Sequence, residues 1–107
     1  MCGRYTVTPK FPEITERWPV PADAPILPKF VPSYNIGPSR KVLAVWRGRR
    51  GKELTAMRWG FLPPWAKDLA MGNRLINARA ETLTEKPSFR EAFRDQRCLI
   101  VADGFYE

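Results

Sequence analysis

Five prolines, at positions 19, 21, 25, 28 and 32, put one stretch of this chain beyond the reach of either helix or ladder. Each lacks the N–H that a helical turn or a strand pairing needs, and each fixes φ near about −65°. The stretch is therefore expected to run extended over the surface. It reads as a long arm within one domain, because the 18 residues ahead of it are too few to form a domain of their own. Regular structure is confined to its two sides. On the N-terminal side, Arg4 to Val7 alternates polar with apolar and suits a short strand, stopped by Thr8-Pro9. Phe11, Ile14 and Trp18 then recur at spacings of three and four, which predicts one face of a short helix ended by Pro19.

Beyond the arm, Tyr34-Asn35-Ile36 reads as a brief strand and Gly37-Pro38-Ser39 as a turn. Lys41 to Trp46 is a clearer strand, joined through Gly48-Arg49-Arg50-Gly51 to a second one over Leu54 to Trp59. Gly60 to Arg74 reads as a long loop, and loops of that length in small domains are usually functional or disordered. Within it Trp65 follows two prolines: it is either a rigid exposed aromatic platform or a side chain folded back into the core. Leu75 to Arg79 predicts a strand and Glu81 onward a helix. Ser88, with Glu91 three residues later, has the form of a capping box opening a second helix whose buried face carries Phe89 and Phe93. Cys98 to Ala102 reads as a buried strand, Asp103-Gly104 as a turn, and Phe105-Tyr106-Glu107 as the start of another strand. The sequence stops there, so the chain is expected to be the front part of something longer.

At 107 residues, with 44% apolar and 27% charged side chains, the chain fits one small soluble domain. It has no apolar run of about 18 residues and no signal-peptide pattern, so a membrane is not expected as a partner and a cytoplasmic location is. Charge is uneven. The net value is +7, and between Arg40 and Arg58 seven basic residues face one acid, Glu53. Such a cluster suits a polyanion, since neutralised phosphates supply most sequence-independent affinity for nucleic acid. It equally suits a solvated hairpin tip.

The chain has no histidine, which removes any internal Ser-His or Cys-His pair, and with only two distant cysteines a structural zinc site would need an unusual ligand set. A catalytic base must then be a carboxylate, a lysine, the α-amine or a thiolate. Cys98 reads as a small buried hydrophobe with a free thiol, and a Cys2–Cys98 disulfide is disfavoured. Cys2 is different. Once Met1 is removed, it carries an α-amine and a thiol on adjacent carbons, with ordinary pKa values of about 8 and about 8.5. That pair can attack an aldehyde and close to a five-membered thiazolidine. The competing reading is a second residue buried where the first strand begins.

Five segments, in order, resemble the SRAP family, the SOS-response-associated peptidases that shield abasic sites in single-stranded DNA. They are Met1-Cys2-Gly3-Arg4-Tyr5, Tyr34 to Pro38, Trp59 to Trp65, Leu75 to Thr82 and Arg97 to Glu107. The resemblance implies an α+β fold, a β-rich barrel with short flanking helices, of which residues 1–107 would be a truncated N-terminal half forming a single partial domain. It implies covalent capture of an abasic site by Cys2, with Asn77 orienting the adduct and Glu107 moving protons. Arg4 and Arg79 resemble phosphate-holding arginines, Trp65 and Pro38 resemble surfaces for bases and the duplex end, and Asn35 and Arg74 join the DNA-binding set. No cofactor or metal is implied. The expected partner is single-stranded DNA containing abasic sites, bound by a monomer that is nucleoid-associated when on DNA. Family members are about twice as long, and their later catalytic histidine has no counterpart here. The alternatives are a non-catalytic single-stranded nucleic-acid-binding module, using the basic hairpin and Trp65, and an inactive fragment.

Overall fold

The computed structural model describes residues 2–20, 30–49 and 51–107. The proline arm's middle, 21–29, lies outside the described residues, as do Met1 and Arg50. At the arm's two ends, Pro19, Val20 and Phe30 belong to no helix or strand, and the Pro19 carbonyl accepts the Leu54 N–H at 2.9 Å.

Two three-stranded antiparallel sheets form the framework. In one, β1 (Tyr5–Val7) lies between β2 (Ser33–Ile36) and β6 (Gly104–Phe105). In the other, β3 (Lys41–Gly48) lies between β4 (Gly51–Arg58) and β5 (Cys98–Ile100). Two short helices, α1 (Phe11–Arg17) and α2 (Arg90–Asp95), complete an α+β chain. The sheets are separate, and no closed barrel is formed by the described residues.

The core follows from which strands are central. Val42, Leu43, Ala44 and Val45 are all buried, because β3 has a strand on each edge and apolar cover on both faces. Leu54, fully enclosed, faces Val45 in register, and Tyr5, Val7, Ile14 and Ile36 close the cluster. Each such aliphatic side chain contributes about 1.5–3 kcal/mol by leaving water. Helix α1 buries Ile14 and half-buries Phe11 and Trp18, as its spacing predicts; the Phe11 ring leans on Phe30 at 5.9 Å.

Four expectations need correction. Leu75 to Arg79 forms no strand, because its carbonyls have other partners: Leu75 O takes the Phe61 N–H at 2.9 Å, and Ile76 O takes the Trp59 indole N–H at 2.9 Å. In place of a helix from Glu81 there is a single 3-10 turn, Ala80–Thr82. Helix α2 begins at Arg90 without the Ser88 capping box, since the Lys86 carbonyl takes the Phe89 and Arg90 amides at 3.1 and 3.0 Å. Strand β5 is not buried: Leu99 is 68% and Ile100 50% exposed, because β5 is the edge of its sheet and its apolar side chains have no cover among the described residues. Cys98 lies on that edge and is exposed as a residue, although partial burial of its thiol raises the pKa. Both cysteines are free.

Asp103 clamps the last segment to β1. Its carboxylate accepts the Thr6 hydroxyl at 2.6 Å, the Thr8 amide at 3.2 Å and the Thr8 hydroxyl, while its own N–H donates to the Thr6 carbonyl at 3.0 Å. The Thr6 hydrogen bond first, and those from Thr8 next, hold the carboxyl below its ordinary range. A carboxyl depressed in the folded state contributes stability above its unfolded pKa of about 3.9 and loses it as pH falls through the lower folded value. Urea midpoints should therefore drop more steeply below about pH 4 in the parent chain than in Asp103→Asn. Parallel curves for the two proteins would show that the clamp adds nothing.

Gly60 fixes the start of the long loop. It has φ of 133°, and a Cβ there would stand 2.6 Å from the Gly72 carbonyl oxygen, so the loop's two limbs touch backbone to backbone. Gly60→Ala should cost about 2 kcal/mol in urea unfolding, from left-handed strain plus the collision. An unchanged midpoint would contradict that contact.

Candidate nucleic-acid interface

Strand β1 sets the first group of side chains. The Arg4 carbonyl accepts the Tyr106 N–H at 3.1 Å and lies 3.5 Å from Cys2 Sγ, so the β1–β6 pairing and the thiol share one anchor. Cys2 is half-buried against the core cluster. The Arg4 guanidinium donates to Asn35 Oδ1 at 3.3 Å and lies over Gly37, where a Cβ would be 2.6 Å from Nη1. Only glycine admits that approach. Pro38 and Ser39 turn the chain next, Ser39 taking a left-handed φ of 72°, after which Arg40 donates from Nη1 to the Asn35 carbonyl at 3.2 Å. Cys2, Arg4, Asn35 and Pro38 thus belong to one neighbourhood. Because β6 runs antiparallel to β1 with Tyr5 opposite Phe105, Glu107 comes at the Gly3 end, where it is exposed.

The second group lies on the segment that replaces the expected strand. Arg74, Asn77, Arg79 and Lys86 line one concavity with Phe89, whose ring packs against Phe61 at 5.5 Å. Asn77 is half-buried; Arg74 and Arg79 are exposed. The rim is held from below. Asp68 caps the 3-10 turn Leu69–Asn73 through the Met71 amide at 3.3 Å, and Arg58 Nη2 donates to Asn73 Oδ1 at 3.0 Å.

Trp59 links the two groups. Its ring packs on Tyr5 at 5.6 Å, and its indole N–H holds the Ile76 carbonyl next to Asn77. Trp65, at the tip of a turn closed by Ala66 N–H to Pro63 O at 2.9 Å, is 53% exposed, in keeping with a platform rather than a core residue.

The basic cluster of the hairpin divides. Lys41 is paired with Arg58 at one end of β3–β4 and Arg47 with Lys52 near the other, with about 20 Å of strand between the two pairs. Arg40 and Arg58 thus lie at the end near Asn35 and Asn73, and Arg47, Arg49 and Lys52 at or near the tip. Lys86 escapes sequence reading, because nothing in Glu85-Lys86-Pro87 marks it until the turns after Thr82 bring it beside Arg79. Among the described residues no three His, Cys, Asp or Glu side chains converge on a metal position, and no helix is long and apolar enough to cross a membrane.

Compared with known proteins, residues 1–107 match the SOS response associated peptidase (SRAP) family. The abasic site processing protein YoqW of Bacillus subtilis (strain 168) is 46% identical over all 107 residues, which cover 47% of its own length. YoaM from the same organism, also called an abasic site processing protein, is 45% identical over the same span and the same share of its length. The abasic site processing protein HMCES of Xenopus tropicalis is 35% identical over 91 residues, 74% of this chain and 27% of that protein. The chain spans about half the length of the bacterial relatives it matches.

Proposed function

Because the chain belongs to the SRAP family, we propose that it captures abasic sites in single-stranded DNA covalently, through Cys2 after removal of Met1. The α-amine adds to the C1 aldehyde of the ring-opened sugar and water leaves, giving an imine. The sulfur then adds to the imine carbon, the π pair moves to nitrogen, and the thiol proton is transferred to it. The product is a thiazolidine, and the sum of the steps releases one water. Asn77 orients the adduct by hydrogen bonding, and the Glu107 carboxyl moves protons during ring opening and imine formation. Arg4 and Arg79 hold the phosphates flanking the lesion, a planar bidentate task suited to guanidinium. Arg74 and Asn35 extend that contact, while Trp65 and Pro38 take the base faces and the duplex end.

The observation that carries this reading is the placement of the thiol and a seated guanidinium side by side just ahead of β1, with Cys2 Sγ at the Arg4 carbonyl and the Arg4 side chain held by Asn35 over Gly37. Intact mass spectrometry of the processed chain, mixed with a single-stranded oligonucleotide containing one abasic site, tests it. A DNA-sized adduct is expected. Reversible binding without an adduct would instead favour a non-covalent module, which the exposed Trp65 and the basic concavity also support. In either case the protein acts as a monomer in the cytoplasm, at the nucleoid when on DNA.

A further inference from the structure

Around helix α2 lies a second group of cations that the proposed site does not use. Arg90, Arg94 and Arg97 line a concavity with Thr84, Glu91 and Phe93. All three arginines are exposed, but they are not equivalent. Arg94 is committed to Asp95, its Nε donating to both carboxylate oxygens at 3.2 and 3.0 Å and its Nη2 to Oδ2 at 2.9 Å. Arg97 is held differently. Its Nε donates to the Phe93 carbonyl, and its guanidinium carbon stands 3.9 Å from the centroid of the Phe93 ring. Phe93 thus orients the flat group, while the two Nη groups have no acceptor among the described residues. A planar fork fixed at one edge and open at the other suits phosphate oxygens taken two at a time.

The position of this concavity indicates which anion it meets. Phe89 lines the concavity of Arg74, Asn77, Arg79 and Lys86, and Phe93 lines this one. The Phe93 N–H donates to the Phe89 carbonyl at 2.8 Å, so the two rings are one helical turn, about 5.4 Å, apart. Thr82 and Lys86 border the first concavity, Thr84 and Arg90 the second, and the same stretch of backbone forms the wall between them. Cations and aromatic rings in two adjoining concavities match a linear polyanion rather than one small anion. We propose that Arg90 and Arg97 form a second phosphate-binding site for single-stranded DNA, holding the strand where it continues past Arg74 and Arg79. Arg97 takes phosphate oxygens through its open fork, and Arg90 supplies a neighbouring charge. Glu91 in the same wall, and Asp95 on Arg94, keep the attraction modest and the contact reversible. The inference rests on the DNA reading above and extends it by a site with no part in the chemistry of Cys2.

Fluorescence anisotropy with an intact single strand of about 16 nucleotides, across a salt series, tests it. In the double variant Arg90→Ala, Arg97→Ala the log–log slope should flatten by about 1.4, two contacts of about 0.7 each, and affinity near 0.1 M salt should fall about tenfold. The double variant Arg47→Ala, Arg49→Ala removes the same charge from the hairpin tip and should leave the slope nearly unchanged. Glu91→Gln keeps both arginines and the Phe93 stacking, and should tighten binding about twofold, a change that misfolding does not mimic. Equal slopes in the parent and the Arg90, Arg97 variant, equal losses in the two double variants, or weaker binding by Glu91→Gln would each overturn the inference. So would a loss confined to vesicles containing phosphatidylserine, which would make the concavity a membrane contact. The abasic adduct separates this claim from the covalent one. If the slope flattens but neither parent nor variant forms an adduct with an abasic oligonucleotide, the covalent reading fails and the second site stands. If both form the adduct and their slopes are equal, the covalent reading stands and the second site fails.

Discussion

A form of this protein carrying an uncleaved residue ahead of Cys2 is expected to lose stable crosslinking to abasic DNA, by about a hundredfold or more, while its affinity for intact single strands stays within about twofold. The chemistry behind the first number is the amide. Once acylated, the Cys2 nitrogen has no available lone pair, so only the thiol can add to the aldehyde, and the resulting hemithioacetal reverts. The second number follows because the basic side chains on Arg4, Arg74 and Arg79 are untouched by the change. Cys2→Ser separates the nucleophiles the other way. It keeps the amine, so an imine still forms, but the hydroxyl is a poorer second nucleophile than a thiolate and the ring is disfavoured. Its adduct should hydrolyse readily and be captured by borohydride. Crosslinking by the blocked form at the processed rate would mean that Cys2 acts as an ordinary thiol.

Replacing Arg74 and Arg79 together with alanine is expected to weaken binding to single-stranded DNA about tenfold near 0.1 M salt and to flatten the log–log salt plot by about 1.4, since each phosphate contact on a single strand contributes about 0.7. Arg49→Ala is the control. Arg49 lies at the hairpin tip, some 20 Å from the Lys41–Arg58 end that adjoins the loop limb anchored at Asn73. Its loss should leave the slope nearly unchanged. Equal losses in the two variants, measured by fluorescence anisotropy across a salt series, would indicate diffuse attraction instead of a footprint at the concavity.

The parts of this fold that could be read from sequence are those whose partners are near in sequence. Phe11, Ile14 and Trp18 mark one helix face through their own spacing, and β3 and β4 meet across a short turn. Leu75 to Arg79 failed as a strand for the opposite reason: the groups that take its carbonyls, the Phe61 amide and the Trp59 indole, come from another limb of the loop. Composition there is that of a strand, and only tertiary contact decides otherwise. Leu99 and Ile100 are apolar yet exposed, because burial depends on whether another element covers the sheet edge and none of the described residues does. At the site, Cys2 is a candidate from its position, and Arg4, Asn77, Arg79 and Trp65 are candidates from the family resemblance. The clasp of Arg4 on Asn35 over Gly37 and the placing of Lys86 beside Arg79 are not legible in sequence, since each depends on how the chain folds back on itself.

The claim that Cys2 supplies two nucleophiles to one carbon is tested most directly by the intact mass of the adduct between the processed chain and an abasic oligonucleotide, taken with and without borohydride. A thiazolidine predicts the sum of the two masses less one water, unchanged by borohydride. An adduct that gains two hydrogens on reduction would be an open imine, and a mass equal to the full sum would be a simple thiol addition; either result contradicts ring closure by Cys2.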